Sequence, residues 1–236
     1  MIKILVIDDE KPTLSMFRLF LKAYGYDVYI AEDGEKGLKI FNEIKPEIVF
    51  TDLKMPGMDG LEVLEKIRKS NINAQVIIIT GHGDMEKAVK ALDLSASDFI
   101  NKPVEREALN SALIRAEKRI GQEKTEKFIL DFEQKSDSIN IRIKGKLSCA
   151  AHETLLQLLD SKKFKNAKKV NIIFDDSFSI NKNGISSLIK FSKGIKDMGG
   201  DVAMEGLSYN YIRFFEMAGI NKVADLIEER IDDGPL

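Results

Sequence analysis

The stretch Ile48-Val-Phe-Thr-Asp-Leu-Lys-Met-Pro-Gly-Met-Asp-Gly60, preceded by Pro46, decides how the first half of the chain is read. Ile48, Val49 and Phe50 form a short apolar run, as in a strand buried on both faces of a parallel sheet. The run ends at Thr51 and Asp52. A carboxylate at the C-terminal end of such a strand stands where open α/β sheets place their chemistry. Lys54 to Gly60 is turn-forming, and Leu61, Val63, Leu64 and Ile67 then recur at helical spacing. Taken alone, Asp52 has an equally ordinary reading as the end of a strand.

Working outward, the same alternation repeats on both sides. Lys3 to Ile7 reads as a buried strand ending in Asp8-Asp9-Glu10. Pro12 opens a helix carrying Leu14, Phe17 and Leu21, which Gly25 closes. Val28 to Ala31 is a strand and Glu35 to Ile44 a helix. After the Asp52 strand and its helix come Val76 to Ile79, a strand ending at Thr80-Gly-His-Gly-Asp84, and a helix from Met85 to about Leu94. Asp98 to Ile100 is a fifth strand, ending at Asn101-Lys102-Pro103, and a last helix starts near Val104. Five strand–helix pairs predict a doubly wound parallel sheet with helices on both faces, an α/β fold.

Asp8, Asp9, Asp52, Thr80 and Lys102 all fall at the C-terminal ends of predicted strands, which converge on one edge of such a sheet. Three adjacent carboxylates repel one another unless a cation holds them, and an all-oxygen donor set suits Mg²⁺. With a metal and Lys102 to neutralise phosphoryl oxygens, and the Thr80 hydroxyl to donate to them, Asp52 is a candidate phosphoacceptor. Gly81 offers no side chain to block a phosphoryl donor. Each motif has a bland reading by itself. Asp8-Asp9 is a solvated strand end, Thr80-Gly81 a turn, Lys102-Pro103 a helix start, His82 an exposed loop residue and Phe99 core. Their joint order reverses those readings.

On these residues the first ~120 positions resemble the receiver domain of two-component response regulators, a CheY-like fold. The resemblance implies that Asp52 is phosphorylated by a histidine kinase, with Thr80 and Lys102 on the phosphoryl group. It also implies Mg²⁺ on Asp8, Asp9, Asp52 and the backbone carbonyl of Lys54. Phe99 takes the aromatic switch position without the hydroxyl many receivers carry there. Lys54 and His82 stand where the phosphoryl lifetime is tuned. An enzyme of the Asp-nucleophile phosphatase or dehalogenase type would need a second carboxylate two residues after Asp52, and Lys54 is there instead.

The totals fit this. The chain has 236 residues, enough for two small domains, with 44% hydrophobic and 31% charged residues. A net charge of −2 gives no overall pull toward nucleic acid or membrane. The single cysteine, Cys149, excludes an internal disulfide and reads as a small packed residue just before a helix. The N-terminus turns acidic too soon for a signal peptide, and no run reaches ~18 apolar residues, so a cytoplasmic protein is expected. The expected boundaries are 1–121 for the receiver, 122–126 for a polar linker and 127–236 for a second domain.

In the second half, Lys127 to Phe132 and the cleanly alternating Ile139 to Lys144 read as strands around a Ser136-Asp137-Ser138 turn. Ala150 to Leu159 is a helix, Phe164 to Lys169 a basic loop, and Lys169 to Phe174 a buried strand. Asp175 to Gly184 reads as a loop. A helix then carries Ile185, Leu188, Ile189, Phe191 and Ile195 to Gly199-Gly200. Val202 to Met204 is a strand, Tyr209 to Met217 a helix, and Val223 to Ile227 a final short element. Asp175-Asp176 is a solvated strand end rather than a catalytic pair.

This order, with Ile141-Arg-Ile-Lys-Gly-Lys-Leu147, Val170-Asn-Ile-Ile-Phe174, Gly184, Gly206-Leu207 and Met217-Ala-Gly-Ile220, resembles a STAS domain of the anti-sigma-factor-antagonist type. The family's loop usually presents a phosphorylatable Ser. Here Asn181-Lys-Asn-Gly184 places Lys182 at that position, and Ser177, Ser179 and Ser186 read as capping or turn residues. The resemblance implies a protein partner, namely an anti-sigma factor, a related Ser/Thr kinase or a signalling complex, gated by the receiver, and a homodimer is open. A DNA-binding transcriptional response regulator is the alternative. The strand-rich second half and the lack of a helix with Lys and Arg on one face argue against nucleic acid.

Overall fold

The computed structural model describes residues 1–71, 73–81, 84–120, 128–134, 138–160, 164 and 168–228. The chain divides into two compact units, Met1–Lys124 and Thr125–Leu236. The expected linker at 122–126, the turn residues Ser136 and Asp137, part of the basic loop after Phe164, and His82 lie outside the described residues.

The first unit alternates β1 (Lys3–Ile7), α1 (Lys11–Ala23), β2 (Asp27–Ala31), α2 (Gly34–Ile44), β3 (Ile48–Asp52), α3 (Gly60–Ser70), β4 (Gln75–Thr80), α4 (Met85–Asp93), β5 (Asp98–Asn101) and α5 (Arg106–Arg119). The sheet is wholly parallel, in the order β2-β1-β3-β4-β5. β3 and β4 are buried end to end and β1 from Ile4 onward, which is why they read as continuous apolar runs rather than alternating ones. Crossovers of the usual right-handed sense put α2, α3 and α4 on one face of the sheet and α1 on the other. Phe17 of α1 packs on Phe50 of β3, with ring centroids 5.3 Å apart. The last helix begins at Arg106, two residues later than expected. Its N-cap, Glu105, is still extended, and the chain before it is drawn along the sheet edge by the hydrogen bond from the Lys102 amide to the Thr80 carbonyl at 2.7 Å.

The second unit has β6 (Ile129–Gln134), β7 (Ser138–Lys144), β8 (Lys146–Leu147), α6 (Cys149–Asp160), β9 (Lys169–Phe174), β10 (Ser179–Ile180), α7 (Lys182–Asp197), β11 (Asp201–Leu207), α8 (Tyr209–Met217) and β12 (Asp225–Glu228). Its main sheet is mixed, in the order β12-β11-β9-β7-β6, with β6 and β7 antiparallel and the rest parallel. The expected hairpin is therefore present. The core carries an aromatic cluster in which Phe178 lies 4.3 Å from Phe174 and 5.5 Å from Tyr211, ring to ring, with Phe215 edge-on to Phe174 and Phe178.

Three details depart from the pattern reading. Ser179 and Ile180, expected in a loop, pair with Lys146 and Leu147 as a two-stranded parallel ribbon. Gly145, at φ +74°, breaks the alternating run so that β8 can leave the main sheet. Lys182, expected on a loop, is instead the first residue of α7. Asn181 is the N-cap, its side chain accepting from the Gly184 amide at 3.0 Å. Gly184 lets that helix start press on the ribbon, since a Cβ there would stand 2.2 Å from the Leu147 carbonyl oxygen. Cys149 is the first residue of α6 rather than the residue before it. Among the described residues no helix is long and apolar enough to cross a membrane.

Gly206 combines φ +76° with a Cβ position 2.1 Å from the Phe174 carbonyl oxygen, at the register shift between β11 and β12. Gly206→Ala is expected to destabilise the second unit by about 2–4 kcal/mol, from left-handed strain plus overpacking. The check is chemical denaturation followed by circular dichroism, with the wild-type midpoint as reference.

Candidate functional site

The strand ends build the site. Asp8 and Asp9 follow β1, Asp52 ends β3, Thr80 ends β4 and Lys102 follows β5. Because β1 and β3 are neighbours and turn away in opposite directions, the acidic residues meet at the topological switch point of the sheet. Carboxylate oxygens of Asp8, Asp9 and Asp52 lie within 4.8 Å of one another. Asp8 and Asp52 are buried, at 0% and 5% exposure, while Asp9 is exposed.

Lys102 holds this cluster. Its ammonium stands 3.0 Å from Asp52 Oδ2, 3.2 Å from Asp8 Oδ2 and 3.4 Å from Glu10 Oε2. At an effective dielectric of ~20, carboxylates this close repel by roughly 3 kcal/mol per pair, and the contacts of Lys102 to the buried Asp8 and Asp52 each return about 5 kcal/mol, the exposed Glu10 contact far less. Burial still wins at the carboxylates. It pushes the Asp52 carboxyl above the usual range, against the hydrogen bond and charge of Lys102. Burial also raises Asp8, against the Glu10 amide and Lys102. The Lys102 ammonium loses hydration, but the hydrogen bond to Asp52 and the charges of Asp52 and Asp8 raise its pKa overall.

The donor set fits a divalent cation. Asp8 Oδ1 accepts from the Glu10 amide at 2.8 Å, whereas Asp8 Oδ2 is buried with no hydrogen-bond donor and meets Lys102 only as a charge contact. An orphaned carboxylate oxygen among two further carboxylates is a hard-cation site.

The segment after Asp52 is held on both sides. The Leu53 amide donates to the Ile79 carbonyl at 2.9 Å, and the Gly60 amide to the Leu53 carbonyl at 3.3 Å. Gly60 must be glycine, because a Cβ there would stand 2.1 Å from the Asp52 carbonyl oxygen. Asp59 caps α3 through the Leu61 and Glu62 amides, and Glu62 returns a hydrogen bond from the Asp59 amide. Thr80 is buried, and among the described residues its hydroxyl makes only a 3.5 Å contact to the Gly81 carbonyl, too long to engage it strongly. Phe99 is buried in β5, opposite Ile78 of β4 and two register positions from the Thr80–Asn101 pair.

The structure thus brings Asp8, Asp9, Asp52 and Lys102 together, with Thr80 on the adjoining strand. The Lys54 side chain points elsewhere, pairing with Asp84 at 2.8 Å. Lys182 belongs to the second unit, exposed at the first turn of α7. Pattern reading assigned no role to Glu10 or Asp84. Glu10 was visible as the third acid after β1, and Asp84 as the acid just before the helix that follows Thr80-Gly81.

Residues 4–114 match the response regulator receiver domain family. The chain is similar to the transcriptional regulatory protein GlrR of Escherichia coli (strain K12), 37% identical over 110 residues, 47% of this chain and 25% of that one. It is similar to the regulatory protein AtoC of the same strain, 33% identical over 114 residues, 48% of this chain and 25% of that one. The chain therefore spans about a quarter of the length of these curated relatives. A solved response regulator receiver domain protein from Clostridium thermocellum is 38% identical, covering 50% of this chain and 96% of that chain, with a TM-score of 0.49.

Since burial raises both carboxyls, the folded metal-free protein binds their protons more tightly than the unfolded chain does. Its stability should fall as pH rises from the unfolded carboxyl value through the raised folded values, and level off above them. Asp52→Asn removes one buried charge and is expected to raise the metal-free Tm at neutral pH by about 2–5 °C. The same variant should lose most of the Tm gain that Mg²⁺ gives the wild type. Differential scanning calorimetry with and without Mg²⁺ tests both.

Proposed function

We propose, on the premise that residues 4–114 are a response regulator receiver domain, that this chain is a two-component response regulator phosphorylated on Asp52 by a histidine kinase. The observation that carries the proposal is the Lys102 ammonium 3.0 Å from Asp52 Oδ2, beside the Asp8 carboxylate, at one edge of a parallel sheet. In this reading Asp8, Asp9 and Asp52, with the Lys54 carbonyl, hold Mg²⁺. The metal supplies charge neutralisation for phosphoryl transfer. Asp52 Oδ is the nucleophile, Lys102 neutralises a phosphoryl oxygen, and Thr80, whose hydroxyl is weakly engaged, turns to donate to another.

Phosphorylation adds about two negative charges at Asp52. Drawing Thr80 and Lys102 inward shifts the β4 and β5 ends, and Phe99 with them, since the Lys102 amide is bonded to the Thr80 carbonyl. Moving a two-state equilibrium from about 1:99 to 99:1 needs roughly 5.5 kcal/mol of differential stabilisation, within reach of charge-assisted contacts to a phosphoryl group. His82 joins Lys54 in setting how long the phosphoryl group lasts.

The second unit is read as a STAS-like output domain that binds a protein in the cytoplasm, an anti-sigma factor, a related Ser/Thr kinase or a signalling complex. What supports this is the element order, an antiparallel hairpin leading into a parallel sheet, and Gly184 seating the start of α7 on the ribbon. Lys182 there carries no hydroxyl, so control passes to the receiver. The second reading, a transcriptional regulator acting on DNA, draws on the names of the relatives, whose likeness covers less than half of this chain.

Acetyl phosphate with Mg²⁺ is expected to add one phosphoryl group to the wild type and none to Asp52→Ala, read by intact mass. Pull-downs with and without beryllofluoride and Mg²⁺ should then recover a protein partner in one condition only. Asp52→Ala should abolish that difference. A shift of genomic fragments in a gel assay, with no protein partner, would favour the transcriptional reading.

A further inference from the structure

Asp84 occupies the N-cap position of α4, yet its carboxylate makes no hydrogen bond to the amides of its own helix. An aspartate at that position ordinarily caps. Here Oδ1 instead accepts the Lys54 ammonium at 2.8 Å, and the side chain is 8% exposed. Oδ2 lies against Gly81, 3.4 Å from where a Cβ would stand, and the Asp84 amide donates to the Gly81 carbonyl at 3.3 Å. One carboxylate therefore touches both the segment that follows Asp52 and the residue that follows Thr80. A second, longer pair runs between the same two segments with its signs reversed, Lys87 of α4 to Asp59 at 3.9 Å.

The two lysines near Asp52 are thus divided. Lys102 pairs with the Asp52 carboxylate, and Lys54, two residues along the chain from Asp52, pairs with Asp84. A phosphoryl dianion on Asp52 changes the balance, because it offers Lys54 more negative charge than Asp84 does. The Lys54 side chain is 61% exposed, so it can swing from one acceptor to the other at small cost.

We infer that Asp84 is a positioning residue that competes with the phosphoryl group on Asp52 for the Lys54 ammonium, and so weakens phosphoryl retention while tying the start of α4 to the Asp52 segment. This rests on the reading of Asp52 as phosphoacceptor. It adds a partner for Lys54 and a direction: removing the Asp84 charge should strengthen the phosphorylated state. When Lys54 leaves Asp84, the carboxylate becomes free to cap α4, which couples the chemistry to the helix that follows it.

The test is a double-mutant cycle on the full chain, reading the Kd of beryllofluoride in saturating Mg²⁺ by isothermal calorimetry. Asp84→Asn should tighten beryllofluoride about two- to fivefold, the range a half-exposed ion pair carries. Lys54→Gln should weaken it, and in the Lys54→Gln background Asp84→Asn should change nothing. Asp84→Ser removes the charge while keeping a good cap, and serves if the Asn variant folds poorly. An equal effect of the Asp84 change with and without Lys54, or no effect in either background, overturns the inference. Wild type that binds no beryllofluoride, or binds it equally after Asp52→Ala, overturns the receiver reading instead.

Discussion

A single ammonium group, that of Lys102, holds together three acidic side chains that would otherwise repel each other at the edge of a buried sheet. Its contacts to Asp52, Asp8 and Glu10 all fall between 3.0 and 3.4 Å. The attraction exceeds the repulsion, but burial leaves Asp8 and Asp52 with raised pKa values even so. The resting site is therefore short of positive charge. That shortage suits the site to a divalent cation.

The rest of the first unit keeps this cluster in register. A parallel sheet with buried central strands fixes the strand ends relative to one another, and the loops that follow are pinned by short contacts. Gly60 lets α3 begin directly over the Asp52 carbonyl, and the capping box of Asp59 and Glu62 fixes where that helix starts. On the next strands, the hydrogen bond from the Lys102 amide to the Thr80 carbonyl ties the ends of β4 and β5 together. Asp84 adds a charge link from the Asp52 segment to α4. The second unit uses the same device for a different end: Gly184 and Gly206 let backbone meet backbone, at a helix start and at a strand register shift.

Sequence by itself determined a good deal. Apolar runs ending in Asp, Asp, Thr and Lys, separated by helical periodicity, set out five strand–helix pairs and the edge where Asp8, Asp9, Asp52, Thr80 and Lys102 meet. Buried parallel strands must be apolar throughout, so their pattern is plain, and their order follows from connections that run one way round. The hairpin of the second unit was legible from the alternation of Ile139, Ile141 and Ile143, which are buried, with Asn140, Arg142 and Lys144, which are polar on the opposite face. Only the tertiary structure decided how charge is shared. Whether Lys54 turns to Asp52 or to Asp84 depends on side-chain directions across two loops, and no periodicity encodes that. The ribbon of β8 and β10 was equally hidden, since two residues are too few to show a period and their pairing spans some thirty positions of chain. Lys182 belongs to α7 rather than to the loop before it because the Asn181 side chain caps the Gly184 amide, a choice made by one local hydrogen bond.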